Sequence, residues 1–336
     1  MKLPDPTPVT DLIDAFRRSK AMFTAVSMGV FDILAAGPAD LDTLAHRLKA
    51  QPPALARLLD ACAGLGFLRK QDGKYENTAL ADTYLTKDSL HTLAGYIKYS
   101  DSVLYPMWQH LDDAVREGTH RWRQTFDFEG PIFSHFFRTD EAMRTFMRGM
   151  HGFGLLSSPA VVEAFDLSGF RRIVDLGGGT GHLVIAACER YMALRGAVFD
   201  LPRVMPIARE ELSQSPAKSR IELLEGDFFT DDLPVADLYA VCRILHDWSE
   251  DKIETLLGRV HAALPEGGAL LVVERLLDDD KTGPPNATMQ SLNMLVCTEG
   301  RERNFAEYEA LLRKAGFRKV EMRRTGKPVD AVIAWK

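Results

Sequence analysis

A histidine, a carboxylate and an indole follow one another directly at the end of an apolar run. His246, Asp247 and Trp248 come straight after ADLYAVCRIL, a stretch that reads as a buried strand. A histidine, with a pKa of about 6.5, is the side chain best suited to take up a proton near neutral pH. Asp247 also has a local interpretation, because Asp247 and Glu250 match the capping box that begins a helix. For a histidine taken alone, a structural role is the more common interpretation, so the structural role and the role of general base both stay open for His246 at this point. We predict that Trp248 packs, and we leave both interpretations of Asp247 open.

A glycine-rich loop lies between a predicted strand and a predicted helix in IVDLGGGTGHLVIAA. Gly177, Gly179 and Gly181 give the spacing G-x-G-x-G, which lets the backbone turn tightly and approach a ligand closely. The dinucleotide fingerprint would place a third glycine at position 182, where this chain has His182. A purely structural turn is an alternative for the loop taken alone. Our interpretation is that the loop binds a cofactor other than a nicotinamide dinucleotide.

Carboxylates end the two strands that follow the glycine loop. Asp200 ends VFD about 20 residues past the loop, where an acid accepts hydrogen bonds from ribose hydroxyls. Its alternative role is the N-cap of the following helix. Asp227 and Phe228 end the next strand, where the acid can accept from an adenine amino group and the ring can pack on the base. Together with the glycine loop, these groups favour S-adenosylmethionine (SAM) as the cofactor.

The elements that position these groups alternate between strand and helix from Phe170 onward. The apolar runs RRIVDL, GAVFDL, IELLEGD, ADLYAVCRIL and ALLVVERLL are separated by amphipathic segments, which is typical of a parallel sheet covered on both faces. Ligands of such sheets bind beyond the carboxyl ends of the strands. The ending FRKVEMRRTGKPVDAVIAWK predicts two further strands at an antiparallel edge. The predicted fold class is α/β, with a Rossmann-like, mostly parallel sheet and an antiparallel edge strand over residues 166–336.

Residues 1–100 have a different pattern, with successive amphipathic helices and a short hairpin around Asp72-Gly73. This order predicts an α-helical winged-helix domain. A DNA-binding role is disfavoured, because the candidate recognition helix PPALARLLDACAGLGFL carries only Arg57 as a cation. The first helix is apolar around much of its surface, which favours dimerisation or a lid over the substrate. Residues 101–165 are predicted to be connecting helices whose methionine and aromatic side chains line a substrate pocket.

Composition narrows the class of protein further. The chain has 336 residues, of which 46% are hydrophobic and 26% charged, and its net charge is −6. This charge argues against nucleic acid or an anionic membrane as a partner. We expect no signal peptide and no membrane span, because no apolar run approaches the roughly 18 residues that a span needs. The four isolated cysteines suit a reducing compartment, so we predict a cytoplasmic protein without disulfides or a zinc cluster.

These motifs together resemble the small-molecule O-methyltransferases, a family that includes plant caffeate and flavonoid enzymes and bacterial polyketide-tailoring enzymes. The resemblance covers nearly the whole chain and rests on DLGGGTG, VFDLP, GDFF, RILHDW, VVERLLD and SLNMLVCTEGRERNFAEYEALLRKAGF. It is strongest for the acetylserotonin-type members, chiefly through RILHDW and the ending GKPVDAVIA. It implies a class I methyltransferase domain, an N-terminal dimerisation domain, a homodimer, and SAM as methyl donor with S-adenosylhomocysteine (SAH) as product.

The resemblance also implies roles for individual residues. His246 is implied to be the general base, with the acids Glu274 and Glu302 beside it. The implied cofactor contacts are Gly177, Gly179, Asp200, Gly226, Asp227, Phe228 and Arg243. Asp247 and Asn293 match acceptor-binding positions, and the acceptor wall also includes Cys297, Met150 and Phe153. Cys297 stands where the acetylserotonin-type enzymes have a glutamine, and Gly154 and Phe137 stand where they have a tryptophan and a tyrosine, so the acceptor stays open.

The predicted chemistry is methyl transfer to a phenol or hydroxyindole hydroxyl of an aromatic small molecule. A phenol has a pKa of about 10 and a free histidine one of about 6.5, so unassisted proton transfer is uphill. A carboxylate on the other ring nitrogen raises the basicity of His246 and fixes its tautomer, and either Glu274 or Glu302 could serve. The scheme requires no metal. The alternatives are a protein of the same fold with hydroxylase or decarboxylase chemistry, and a ligand-sensing winged-helix regulator.

Overall fold

The computed structural model describes residues 3–131, 133–134 and 137–336. The chain divides into two compact units, Met1–Tyr105 and Pro106–Lys336. The aromatic-rich stretch PIFSHFF at 131–137, predicted to be helical, lies partly outside the described residues. The three-part division of the chain at residues 100 and 165 stays a prediction.

The first unit is mainly helical, as predicted. Its helices are Thr7–Met28, Val30–Leu34, Leu41–Leu48, Pro52–Gly64, Ala79–Tyr84 and Ala94–Tyr99, followed by the π-helical turn Ser100–Leu104. Its strands are β1 (Ala39–Asp40), β2 (Leu68–Gln71) and β3 (Lys74–Asn77), which form an antiparallel sheet in the order β1-β3-β2. The predicted hairpin turn is present, because Asp72 and Gly73 both have positive φ angles, of 51° and 76°, as a two-residue type I′ turn requires. The winged-helix arrangement stays a prediction.

One face of the first helix is apolar and exposed. Val9, Leu12, Ile13 and Phe16 follow one another at helical spacing, and each is between 53% and 76% exposed. Exposed apolar patches of this kind on a helix commonly mark an interaction surface.

The second unit is built on a parallel sheet. Its strands are β4 (Arg172–Leu176), β5 (Arg195–Asp200), β6 (Ile221–Glu225), β7 (Leu238–Cys242), β8 (Ala269–Glu274), β9 (Leu276–Leu277), β10 (Arg303–Asn304), β11 (Lys319–Arg323) and β12 (Asp330–Trp335). Among the described residues, seven of them form one sheet in the order β11-β12-β8-β7-β4-β5-β6. The five strands from β4 to β8 are parallel, while β12 is antiparallel to both β8 and β11. The predicted fold class is therefore confirmed.

Helices cover this sheet on both faces. From residue 105 onward the helices are Tyr105–Trp108, Leu111–Glu117, Trp122–Phe126, Asp140–Leu155, Ser158–Ala164, His182–Arg190, Met205–Leu212, Glu250–Ala263, Pro285–Cys297 and Phe305–Lys314. Alternate strand residues enter separate hydrophobic clusters, with Ile173 and Leu238 on one face and Val174 and Tyr239 on the other. This double burial explains why the strands appear as continuous apolar runs in the sequence.

A short parallel pair positions one further segment of the site. Strand β9 directly follows β8 and pairs with β10, in the register Arg303 with Leu276. Glu302 precedes β10 and Glu274 ends β8, so this pairing carries the two glutamates to the same edge of the sheet. Within the described part of the chain, no helix is both long and apolar enough to cross a membrane.

Candidate active site

The turn that carries His246 is held by the neighbouring strand. Strand β7 ends in a 3-10 turn, Leu245–Asp247, instead of running directly into a helix. The Oε1 atom of Glu274 accepts hydrogen bonds from the backbone N–H groups of Ile244 (3.1 Å), Leu245 (2.9 Å) and His246 (3.3 Å). Because Glu274 ends β8 and is fully buried, it determines where the histidine leaves the sheet.

The His246 ring lies between three carboxylates. Its Nδ1 atom is 2.7 Å from Oε1 of Glu302 and 3.3 Å from Oε2 of Glu274. Its Nε2 atom is 3.7 Å from Oδ1 of Asp247, and the side chain is only 4% exposed. A proton on Nδ1 is thus directed at Glu302, which leaves Nε2 as the nitrogen able to accept a proton. The two glutamates have different tasks, since Glu302 orients the ring and Glu274 holds the turn.

The electrostatics of this cluster favour a strong base. Burial by itself lowers the pKa of His246, but the carboxylates of Glu274, Glu302 and Asp247 outweigh burial and raise that pKa to about 9. Burial raises the pKa of Glu274 to about 7 and that of Asp247 to about 6, and His246 opposes both shifts. A phenol has a pKa of about 10, so proton transfer to this histidine is close to balanced.

The same cluster has the donor types of a cation site. His246, Glu274 and Glu302 each offer one ligand atom, and these atoms lie within 4.8 Å of one another. In this geometry, however, Oε1 of Glu274 already receives three N–H groups, and Nδ1 of His246 is within hydrogen-bond distance of Glu302. These contacts fit a proton-sharing network, and the absence of a metal requirement stays a prediction.

The helix-capping interpretation of Asp247 is wrong. The next helix begins at Glu250 and its N-cap is Ser249, and within the described part of the chain no side chain caps it. The reason is the 3-10 turn, which places Asp247 beside the imidazole before the chain becomes helical.

Trp248 packs as predicted, with its ring 5.1 Å from that of Phe229 in an edge-to-face arrangement.

The glycine loop turns sharply at the end of β4. Gly177 and Gly179 have φ angles of 68° and 58°, a left-handed conformation that strongly favours glycine. The N–H of Gly177 donates to the carbonyl of Phe199 on the next strand, at 2.8 Å. A Cβ atom on Gly177 would lie 3.1 Å from the ring of Phe228 and 2.6 Å from the side chain of Ile244. The structure therefore brings Phe228 directly to this loop.

Asp200 links the end of β5 to the glycine loop. Its Oδ2 atom accepts from the N–H of Gly179 at 2.8 Å, and its Oδ1 atom accepts from the N–H of Leu201 at 2.7 Å. Burial raises its pKa to about 6, although these two hydrogen bonds lower it. The N-cap alternative is wrong, because a turn intervenes and the helix begins only at Met205, with Val204 at its N-cap.

The segment after β6 lies beside the same strand end. A Cβ atom on Gly226 would come within 2.5 Å of Cε2 of Phe199, so the close approach of the two strand ends requires glycine there. Asp227 is half-buried, and its Oδ1 atom accepts from the N–H of Phe229 at 2.8 Å. The rings of Phe228 and Phe229 pack with centroids 4.8 Å apart.

The predicted acceptor residues on helix Pro285–Cys297 are linked to each other. The indole N–H of Trp108 donates to Oδ1 of Asn293 at 2.8 Å, and the Asn293 amide donates to Sγ of Cys297 at 3.3 Å. Burial, and then the nearby Asp247 carboxylate, raise the pKa of Cys297. Sequence reasoning counted the aromatic side chains of residues 101–165 as pocket-lining but did not single out Trp108, because its contact with Asn293 spans 185 positions and leaves no local signal.

Two guanidinium groups lie close to the ring of Phe153. The Cζ atoms of Arg243 and Arg275 are 5.0 Å and 5.1 Å from its ring centroid. Arg243 adopts a left-handed backbone conformation, with φ of 58°, directly after β7. Met150 is half-buried on the same helix as Phe153, Asp140–Leu155. The assignment of Arg243 to the cofactor, and of Phe153 and Met150 to the acceptor, stays a prediction.

Comparisons with known proteins identify the family. The O-methyltransferase domain family matches residues 108–318, and the O-methyltransferase dimerisation domain family matches residues 10–87. Acetylserotonin O-methyltransferase of Gallus gallus is 42% identical over 330 residues, which cover 96% of this chain and 95% of the relative. The Bos taurus enzyme of the same name is 43% identical, with the same coverage.

A solved structure extends the similarity to three dimensions. The crystal structure of human N-acetylserotonin methyltransferase in complex with SAM matches with a TM-score of 0.94 and 38% sequence identity. The match covers 100% of this chain and 99% of the human chain. The resemblance that the sequence motifs indicate is confirmed, and the chain belongs to the family of S-adenosylmethionine-dependent O-methyltransferases.

Proposed function

We propose that this protein transfers the methyl group of SAM to a hydroxyl of an aromatic small molecule, of phenol or hydroxyindole type, with His246 as the general base. The observation that carries the proposal is the buried imidazole of His246, whose Nδ1 is held 2.7 Å from Glu302. Its Nε2 atom is left to take the proton of the acceptor hydroxyl.

The residues at the carboxyl ends of β4, β5 and β6 fit the cofactor. Gly177 and Gly179 allow close approach to the backbone, and Asp200 and Asp227 present carboxylates suited to ribose and adenine. Phe228 presents a ring beside Gly177, where a base can pack. When bound, SAM supplies an electrophilic methyl group and leaves as SAH. The protein has to orient the acceptor oxygen and remove its proton.

Five of the predicted site residues suit an aromatic acceptor. Asp247 and Asn293 offer polar groups, while Phe153 and Met150 offer apolar surface, and we assign all four to the acceptor side with Cys297. Arg243 lies against Phe153, and we assign it to the cofactor side. Because the similar Gallus gallus and Bos taurus enzymes are named for acetylserotonin, that compound is the first acceptor to test.

We further propose a homodimer that assembles through the N-terminal unit. The match to a dimerisation domain and the exposed apolar face of the first helix support this proposal. The net charge of −6 supports a protein without a nucleic acid partner, and the free thiols of its four cysteines support a cytoplasmic location.

Calorimetric titration with SAH tests the cofactor assignment. We expect the wild type to bind SAH and Asp200→Ala to bind it much more weakly, because the variant loses both the carboxylate and its bond to Gly179. Asp251→Ala, on an exposed helix position, is the matched control and should bind like the wild type. A folded wild type that binds no SAH would refute the proposal.

An acceptor assay tests the chemical step. Methyl transfer from SAM to acetylserotonin and to a panel of phenols and hydroxyindoles is measured by mass spectrometry, with His246→Ala as the control. We expect a methylated product from at least one acceptor, and loss of that product in His246→Ala. Formation of SAH without any methylated product would instead favour the alternative of other chemistry on this fold.

A further inference from the structure

One face of helix Asp140–Leu155 lies along the glycine loop. Three of its residues, spaced by four and then three positions, meet consecutive parts of the loop, and this spacing places them on one helix face. The contacts are Met147 with Gly179, His151 with Thr180, and Gly154 with His182. The loop is therefore covered by this helix on one side and hydrogen-bonded to Asp200 at Gly179.

Gly154 and His182 fit each other sterically. A Cβ atom on Gly154 would lie 2.5 Å from Nδ1 of the His182 ring and closer still to Cγ and Cδ2. The half-buried ring is restrained on one side, because its Nδ1 atom is 2.8 Å from Oγ of Ser158. Burial, followed by His151 and Arg243, lowers the pKa of His182 to about 3, so the ring is neutral at working pH.

A second contact is polar. Nδ1 of His151 is 2.8 Å from Oγ1 of Thr180, a buried side chain inside the glycine loop. On its other side the His151 ring faces Glu211, with Nε2 3.6 Å from Oε2. Removing the Thr180 hydroxyl would leave a largely buried ring nitrogen without its partner.

We propose that Gly154 and His182 are a matched pair which, together with the His151–Thr180 hydrogen bond, holds the glycine loop in the shape that binds SAM. These four are positioning residues, because they act on the cofactor through the loop. The inference rests on the proposed function. It implies that their replacement weakens cofactor binding and leaves the chemical step at saturating SAM largely intact.

The steric contact between Gly154 and His182 is tested with a double variant that restores the space for a larger side chain. SAH affinity is measured by calorimetry for the wild type, Gly154→Ala, His182→Ala and the double variant Gly154→Ala/His182→Ala. We expect Gly154→Ala to raise the Kd roughly tenfold, since overpacking a filled site commonly has an effect of this size. The double variant should bind SAH more tightly than Gly154→Ala alone, because the second change frees the space that the new methyl group needs.

Gly258→Ala is the matched control. Gly258 is also a helical glycine of the second unit, but a Cβ atom there would meet no atom of the described residues within 4 Å. We expect an unchanged Kd for SAH and a small gain in thermal stability, as alanine is the better helix former.

The hydrogen bond between His151 and Thr180 is tested with two substitutions at Thr180. Thr180→Val removes the hydroxyl and keeps the shape, while Thr180→Ser keeps the hydroxyl. We expect Thr180→Val to raise the KM for SAM several-fold, with kcat at saturating SAM and the KM for the acceptor both retained, and Thr180→Ser to restore the KM for SAM.

The outcomes distinguish failure of the positioning roles from failure of the proposed function. If the wild type binds SAH but Gly154→Ala binds it equally well, or if the double variant is no better than Gly154→Ala, the matched pair is refuted while the function stands. If Thr180→Val lowers kcat and leaves the KM for SAM unchanged, the proposal that the His151–Thr180 hydrogen bond holds the glycine loop is refuted. A wild type that binds no SAH refutes the proposed function itself.

Discussion

Replacing Glu302 with glutamine should change the proton affinity of His246 in a predictable direction. The change removes a negative charge whose oxygen is 2.7 Å from Nδ1 of the ring. An opposite charge at such range shifts a pKa by about 1 to 3 units, so the pKa of His246 should fall from about 9 to roughly 6 to 8. At about 1.4 kcal/mol per unit, the base loses roughly 1.4 to 4 kcal/mol of proton affinity.

The assay is the pH dependence of kcat/KM for the acceptor, measured at one saturating concentration of SAM. The base works only when it is neutral, so the wild-type rate should rise with pH until the pKa of His246 is passed, near 9 in the free protein. In Glu302→Gln the rise should occur at lower pH by about 1 to 3 units. The plateau at high pH should drop by about tenfold or more, because the weaker base removes a phenolic proton less readily.

Two control variants test whether the shift in the pH profile is specific to Glu302 and His246. Glu254→Gln changes a carboxylate that pairs with Lys314 on the surface of the same unit, and it should leave the profile unchanged. His246→Ala should remove the pH-dependent rise altogether. A Glu302→Gln profile that rises at the wild-type pH would show that Glu302 does not set the basicity of His246, and the division of tasks between the two glutamates would then be refuted.

Two further predictions concern stability and assembly. Asp175 is fully buried and, among the described residues, neither of its oxygens has a hydrogen-bond partner; burial, and then Asp200, raise its pKa well above the usual value. Because the folded-state pKa is raised, the contribution of Asp175 to stability is most favourable below the unfolded pKa of about 3.9 and is lost as pH rises toward the folded pKa. The Tm of Asp175→Asn should therefore increase relative to that of the wild type as pH increases. A Tm difference between the two proteins that does not change with pH would contradict this. Phe16→Glu places a charge in the exposed apolar face of the first helix and should shift the protein to monomers in sedimentation velocity. Arg18→Glu, which changes a residue off that face, should not. A dimer in Phe16→Glu would contradict the proposed interface.

Much of the fold could be predicted because its signals are local. A strand buried on both faces has to be apolar throughout, so the runs that became β4, β5, β7 and β8 are visible without knowledge of their partners. The glycine loop is visible for a similar reason, since a left-handed backbone at Gly177 and Gly179 requires a particular residue type. These signals sufficed to place His246 and Asp200 at strand ends.

The local predictions that were wrong concern where helices begin. Asp247 and Asp200 both match helix-capping patterns, yet Asp247 is the last residue of a 3-10 turn and Asp200 lies before a turn, and the helices begin at Glu250 and Met205. The Asp247 turn is held by Glu274 from a neighbouring strand, and Asp200 is bound to Gly179 in the loop. Capping patterns report only the preference of nearby backbone, and tertiary hydrogen bonds overrode that preference here.

The order of the amino acids is enough to identify which side chains are available for chemistry and on which kinds of element they lie. How these side chains are paired follows from the fold, because strand order and the pairing of β9 with β10 bring together residues that are far apart in the chain. Glu302 reaches His246 across 56 positions and Trp108 reaches Asn293 across 185. Such contacts depend on the register between separate segments, which no periodicity within one segment encodes. The distances around the imidazole, and the basicity that they produce, are therefore properties of the fold.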